Sequence, residues 1–238
     1  MGESTKKRIF DFISGEALLI NKPIGWTSFD VVNHLRKFIS RLVGVKKIKL
    51  GHAGTLDPLA TGLLILCTGK LTKRIDEFMG LEKEYTGTII LGATTPSYDA
   101  ETDVNETFEV DHITKELLLN AAAKFQGTIE QVPPQYSAIK INGIPAYRYA
   151  RDNIEVEIKS RAVTIYSFDI TRFDLPEVDF KIVCSKGTYI RSVARDLGVA
   201  LSSGAYLSSL CRTRIGEYRL EDAYSIDAFK SIFSTRNS

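Results

Sequence analysis

A chain of 238 residues that is 44% hydrophobic and 25% charged has ordinary globular composition and the length for one large core or two small ones. Its formal net charge of +2 favours no class of partner. No apolar run approaches the roughly 18 residues of a membrane-spanning helix, and Lys6-Lys7-Arg8 is not followed by the apolar stretch of a secretory signal. Cys67, Cys184 and Cys211 have no CxxC spacing; they read as reduced thiols of a cytoplasmic protein, not as a zinc site or a disulfide framework.

Residues 1 to about 14 read as a frayed or partly ordered lead-in. Ala17-Leu18-Leu19-Ile20 predicts a short strand, ended by Asn21-Lys22-Pro23-Ile24-Gly25-Trp26. Thr27 or Ser28 can cap a helix whose apolar stripe is Val31, Leu35, Phe38, Ile39 and Leu42, stopped at Gly44. Arg36, Lys37 and Arg41 fall off that stripe and face outward. From Val31 to Leu56 there is no acidic residue, while Lys46, Lys47 and Lys49 join the three helix cations; such a stretch suits a polyanion on one side of the molecule. Next comes Gly51-His52-Ala53-Gly54-Thr55-Leu56-Asp57-Pro58-Leu59-Ala60-Thr61-Gly62, rich in glycine, which runs into a strand at 63–68. Glycine permits close turns, and the proline after Asp57 pushes that carboxylate toward an extended backbone. Asp-Pro is equally an ordinary turn dipeptide.

A helix is predicted over about 71–79, and an alternating strand over 85–92. The acidic run from Asp99 to Asp111 reads as an exposed loop. Thr114 caps a helix over 115–125 that ends at Gly127, and Gln131-Val132-Pro133-Pro134-Gln135-Tyr136 breaks regular structure. Asn142-Gly143 signals a hairpin, with one or two helical turns over 146–151. Strands are predicted around 156–158, 162–170 and 178–185, a helix over 188–201, a strand over 205–212, and a last short helix capped at Ser225. Strands fall in adjacent groups without a βαβ rhythm, so the expected fold class is α+β with a largely antiparallel or mixed sheet, in one domain spanning 1–238.

The usual site signatures are missing. Gly62 and Gly69-Lys70 are separated by six residues where a phosphate loop needs four, and Leu71 stands where the magnesium-binding hydroxyl belongs. There is no GxGxxG and no G-x-S-x-G, and His34, His52 and His112 are too scattered in sequence to suggest a metal cluster. What remains is chemistry centred on a carboxylate, with neither cofactor nor metal.

Five stretches, in order, resemble the TruB-type tRNA pseudouridine(55) synthases: Asn21–Ser28, Gly51–Gly62, Lys83-Glu84-Tyr85, Gln131–Lys140 and Cys184–Arg191. The resemblance implies the pseudouridine synthase fold, a mixed sheet with flanking helices and a central cleft, acting on uridine in the TΨC loop of tRNA. It makes Asp57 the catalytic aspartate, Tyr85 the tyrosine that stacks on the target base, Arg191 the arginine paired with the aspartate, Leu210 an apolar residue near the base, and His52 the imidazole that fills the stack left by the flipped nucleotide. Lys22 and Tyr189, within two of the stretches, are further candidate substrate contacts. The resemblance leaves open whether Asp57 attacks C6 or C1′ or removes the proton at C2′. Many relatives carry a C-terminal PUA domain, and none is expected here, so docking of the distal tRNA is expected to rest on the catalytic domain; a monomer is expected. Two competing functions remain: a non-catalytic RNA-binding module on the same fold, and an RNA N-glycosidase using Asp57.

Overall fold

The computed structural model describes residues 10–152 and 154–234, which fall into two compact units, one made of the chain up to Gly80 together with 217 onward, the other of Leu81–Gly216. The start of the lead-in, with Lys6-Lys7-Arg8, lies outside the described residues. In the first unit, strand β1 (Ala17–Lys22) leads to helix α1 (Ser28–Leu42), then β2 (Leu50–His52) and β3 (Ala60–Thr68). β3 pairs antiparallel with both β1, Leu18 facing Leu66, and β2, Gly51 facing Cys67. The α1 start has a full capping box: the Thr27 hydroxyl accepts from the Asp30 amide, and the Asp30 carboxylate accepts from the Thr27 amide.

The apolar stripe of α1 buries Val31, Val32, Leu35 and Ile39 against Leu18, Ile20, Leu64 and Leu66 from the strands. Phe229 and Phe233 of a closing helix, Ile226–Ser234, complete this core together with Phe12. The lead-in is therefore not loose at its described end: Phe10 and Phe12 stack 5.4 Å apart and meet Phe229 and Phe233. The helix predicted over 71–79 is two pieces, a 3-10 turn over Gly69–Arg74 and a short helix α2, Ile75–Gly80.

The second unit is built on strands β4 (Lys83–Leu91), β7 (Gly127–Gln131), β10 (Arg161–Asp174), β11 (Glu177–Cys184) and β12 (Ala205–Ile215), with small pairs β5/β6 (Ala93–Thr94, Glu106–Thr107) and β8/β9 (Lys140–Ile141, Ile144–Pro145). The large strands lie in the order β12-β4-β11-β10-β7, each pair antiparallel. Helices α3 (Lys115–Ala123) and α5 (Ile190–Ala200) pack on each other, α3 against β10 and α5 against β12, while α4 (Ala146–Arg151) follows the β8/β9 hairpin. Asn142 and Gly143 take φ of 52° and 83°, as the two-residue hairpin turn requires. Sequence periodicity missed β7, whose polar Thr128, Glu130 and Gln131 owe their extended form to pairing with β10. Residues 156–158, expected as a strand, are irregular. The α+β, largely antiparallel expectation holds.

Candidate active site

Asp57 sits on the loop between β2 and β3, and the backbone on each side of it is tied down. The Ser28 hydroxyl accepts from the Leu56 amide (2.8 Å) and donates to the Leu56 carbonyl (3.1 Å). The Pro58 carbonyl accepts from the Gly25 amide at 2.9 Å and from the Lys22 ammonium at 3.2 Å. Lys22 is 0% exposed and also donates to the Pro23 and Trp26 carbonyls, so the predicted substrate contact is an internal clamp that joins the loop after β1 to the loop carrying Asp57. Gly25 makes this possible with φ of 80°, a left-handed turn that side chains resist. Asp57 itself is half-buried, as is His52 at the end of β2. The helix cations are less uniformly outward than expected: Arg36 is half-buried and donates to the Leu50 carbonyl at 2.8 Å, while Lys37, Arg41, Lys46, Lys47 and Lys49 are exposed.

The remaining predicted residues belong to the second unit. Tyr85 lies on β4, opposite Ile182 of β11 and Arg212 of β12, and is 8% exposed. Leu210, half-buried, faces Gly87. A Cβ on Gly87 would stand 2.3 Å from the Ser209 carbonyl, so β4 and β12 meet there at a distance only glycine permits. Tyr189 caps α5, and Gln131 fixes it reciprocally: the Tyr189 amide donates to the Gln131 side chain at 2.8 Å and the Tyr189 carbonyl accepts from it at 3.1 Å. The Arg161 guanidinium lies 4.8 Å over the Tyr189 ring.

Arg191 opens α5 and is 3% exposed. Its Nε faces Asp99 Oδ2 at 3.4 Å, Nη1 donates to the Ser97 carbonyl at 3.2 Å and Nη2 to the Tyr136 carbonyl at 2.8 Å. Asp99 is thus a buried partner of Arg191 that sequence reasoning missed. It was absorbed into the acidic run, of which Glu101, Asp103, Glu106, Glu109 and Asp111 are indeed exposed, but Asp99 is only 5% exposed. Its other oxygen accepts from the Glu101 amide. Two more buried cations lie on these strands, Lys83 and Arg212. Burial, and then Arg212, pull the Lys83 pKa down to about 8; its ammonium donates to the Leu81 carbonyl. The thiols of Cys67 and Cys184 are buried and reduced, each pushed up to about 11 by burial. Among the described residues no group of His, Cys, Asp and Glu side chains is arranged to hold a metal ion, and no helix is long and apolar enough to cross a membrane.

Among solved structures, a chain of a Cbf5-Nop10-Gar1 complex superposes with a TM-score of 0.69 at 25% identity, covering 92% of this chain. This chain spans only 54% of that one. A chain of an H/ACA RNP bound to a substrate RNA containing 2'-deoxyuridine has the same fold, with a TM-score of 0.66 at 23% identity over 92% of this chain and 53% of its own. These superpositions define the fold, an α+β scaffold built on an antiparallel sheet. The family model described as TruB family pseudouridylate synthase (N terminal domain) matches residues 40–190. The tRNA pseudouridine synthase B of Phocaeicola vulgatus is 53% identical over 219 residues, 92% of this chain and 93% of the relative. That of Bacteroides thetaiotaomicron is 54% identical over 224 residues, again 92% and 93%. The chain belongs to the TruB family.

Proposed function

We propose that this protein converts uridine to pseudouridine at position 55 in the TΨC loop of tRNA, with Asp57 as the reacting carboxylate. The observation that carries the reading is the restraint on both neighbours of Asp57, Leu56 by Ser28 and Pro58 by Gly25 and Lys22. A group that must meet one atom of a flipped nucleotide gains most from a backbone that cannot drift. The tRNA pseudouridine synthase B relatives, which share the chain nearly end to end, support tRNA as the substrate. The reaction breaks the N-glycosidic bond, turns the uracil and rejoins it through C5. It balances without water, oxidant or nucleotide.

The target base must leave its stack, at a cost of a few kcal/mol. Stacking on the Tyr85 ring returns about 1–3 kcal/mol, and His52 fills the vacated place. Leu210 supplies an apolar wall. Arg191, oriented by Asp99, Ser97 and Tyr136, is the guanidinium assigned to favour the ionised carboxylate. Lys22 acts through the loop rather than on the RNA, and Tyr189 acts by setting the start of α5. The exposed cations at 37, 41, 46, 47 and 49 contact phosphates, which position RNA without reading its sequence and make binding salt-dependent.

The test is tritium release from C5-labelled uridine in a tRNA transcript. Asp57→Asn is expected to lose activity by about a thousandfold or more while keeping tRNA affinity within a few fold. Unchanged turnover would remove Asp57 from the chemistry. Free uracil in the wild-type reaction would show a glycosidase instead, and binding without any turnover would show a non-catalytic RNA module.

A further inference from the structure

The residues that grip Arg191 flank a single backbone reversal. The Ser97 carbonyl and the Asp99 carboxylate both reach the same guanidinium, and between them Tyr98 holds φ of 62°. That left-handed conformation is unfavourable for a bulky residue, so something must hold it. Part of the restraint is local: the Tyr98 amide donates to the Thr95 carbonyl, its own carbonyl accepts from Leu207, and the Thr95 and Ser97 hydroxyls both donate to the Asp99 carbonyl.

The rest comes from α5. Residues 191 and 195 are four apart, hence on one helix face. The Arg195 guanidinium lies 4.9 Å over the Tyr98 ring. It is itself anchored, by Asp196 at 2.6 Å and by the Val132 carbonyl at 3.4 Å. Burial opposes the Arg195 charge, yet Tyr98 and Asp196 more than offset it and raise its pKa. One face of α5 therefore presents an arginine to be gripped and, a turn later, a second arginine that pins the gripping turn.

We propose that Tyr98 and Arg195 are positioning residues for the isomerisation: the Arg195–Tyr98 stack holds the 97–99 turn in the one conformation that lets Ser97 and Asp99 fix the Arg191 guanidinium. The inference rests on the role given above to Arg191. It predicts that loosening the stack lowers the rate of the chemical step and leaves substrate binding alone, because neither residue is asked to touch RNA.

The test is steady-state kinetics on tRNA, with melting temperature as a check on folding. Arg195→Ala is expected to lower kcat by about tenfold, the rate equivalent of one half-buried cation–π contact, with KM within twofold. Tyr98→Gly removes the ring and, being free to adopt positive φ, keeps the fold; it is expected to lose kcat similarly, whereas Tyr98→Phe, which keeps the aromatic face, stays within about threefold of wild type. In an Asp99→Asn background Arg195→Ala is expected to cost nothing further. A rise in KM at constant kcat would make Arg195 an RNA contact and overturn the inference, as would Tyr98→Phe as poor as Tyr98→Gly, or full additivity with Asp99→Asn. If Arg191→Lys and Asp99→Asn both keep wild-type kcat, the role of Arg191 fails and the inference falls with it. If those two are impaired while Arg195→Ala and Tyr98→Gly are not, the inference alone fails.

Discussion

Asp57 and Arg191 are held by different means. Around Asp57 the restraints act on the backbone: a serine hydroxyl, a glycine amide and a buried ammonium bind the peptide groups of Leu56 and Pro58, leaving the carboxylate half-buried. Around Arg191 they act on the side chain, and they come from far along the chain, 94 positions away for Ser97 and 55 for Tyr136. A loop pinned by its peptide groups tolerates varied side chains at neighbouring positions. A buried charge held by a carboxylate does not, because removing the partner strands it away from water.

Four measurements test that contrast. The largest effect is expected from Asp99→Ala, which deprives the buried Arg191 of its carboxylate; urea denaturation should show a loss of about 3 kcal/mol or more. A loss below about 1 kcal/mol would place Arg191 among the surface ion pairs. Arg191→Lys comes next. Lysine retains the charge but cannot reach the Ser97 carbonyl, the Tyr136 carbonyl and Asp99 with one rigid fork, and kcat is expected to fall about a hundredfold with little change in melting temperature.

Ser28→Ala tests the other region. It removes the hydroxyl that both donates to and accepts from Leu56, so stability should fall by about 1–2 kcal/mol, and kcat should fall with it if the loop drifts. Retained stability with retained kcat would show that Gly25 and Lys22 suffice. The smallest expected effect is on pH dependence. Lys83 titrates near 8 when folded, against 10.5 ordinarily, so in that window the unfolded chain binds more protons and stability rises with pH. The buried Cys67 and Cys184 thiols, raised to about 11 from 9.0, act the opposite way above pH 9. Stability is therefore expected to climb by only about 0.5 kcal/mol between about pH 7.5 and 9 and then turn over, with the climb absent in Lys83→Met.

The same contrast explains what could be read from the amino-acid order. Elements with local causes were legible: α1 from its stripe and the Thr27 cap, α3 from Thr114, the β8/β9 turn from Asn142-Gly143, and the Asp57 loop from its glycines and proline. Residues whose surroundings are set by distant strands were not. β7 is polar and pairs only because β10 is there to receive it. Asp99 was lost among exposed carboxylates, and nothing near it in sequence says that Arg191 lies beside it. Lys22 stood in a recognisable stretch, but its burial follows from carbonyls of three separate residues converging on one ammonium. The buried end of the lead-in escaped notice because Phe10 and Phe12 have their partners at the other end of the chain.

Those phenylalanines set an order of events during synthesis. Residues 81–216 are contiguous, so that unit has all its strands once they have left the ribosome. The other unit cannot seal its interior until Phe229 and Phe233 emerge to meet Phe10 and Phe12. A nascent chain halted near residue 216 is thus expected to carry one finished half and one with an open apolar face. Until the last helix arrives, the aspartate sits on the unfinished half.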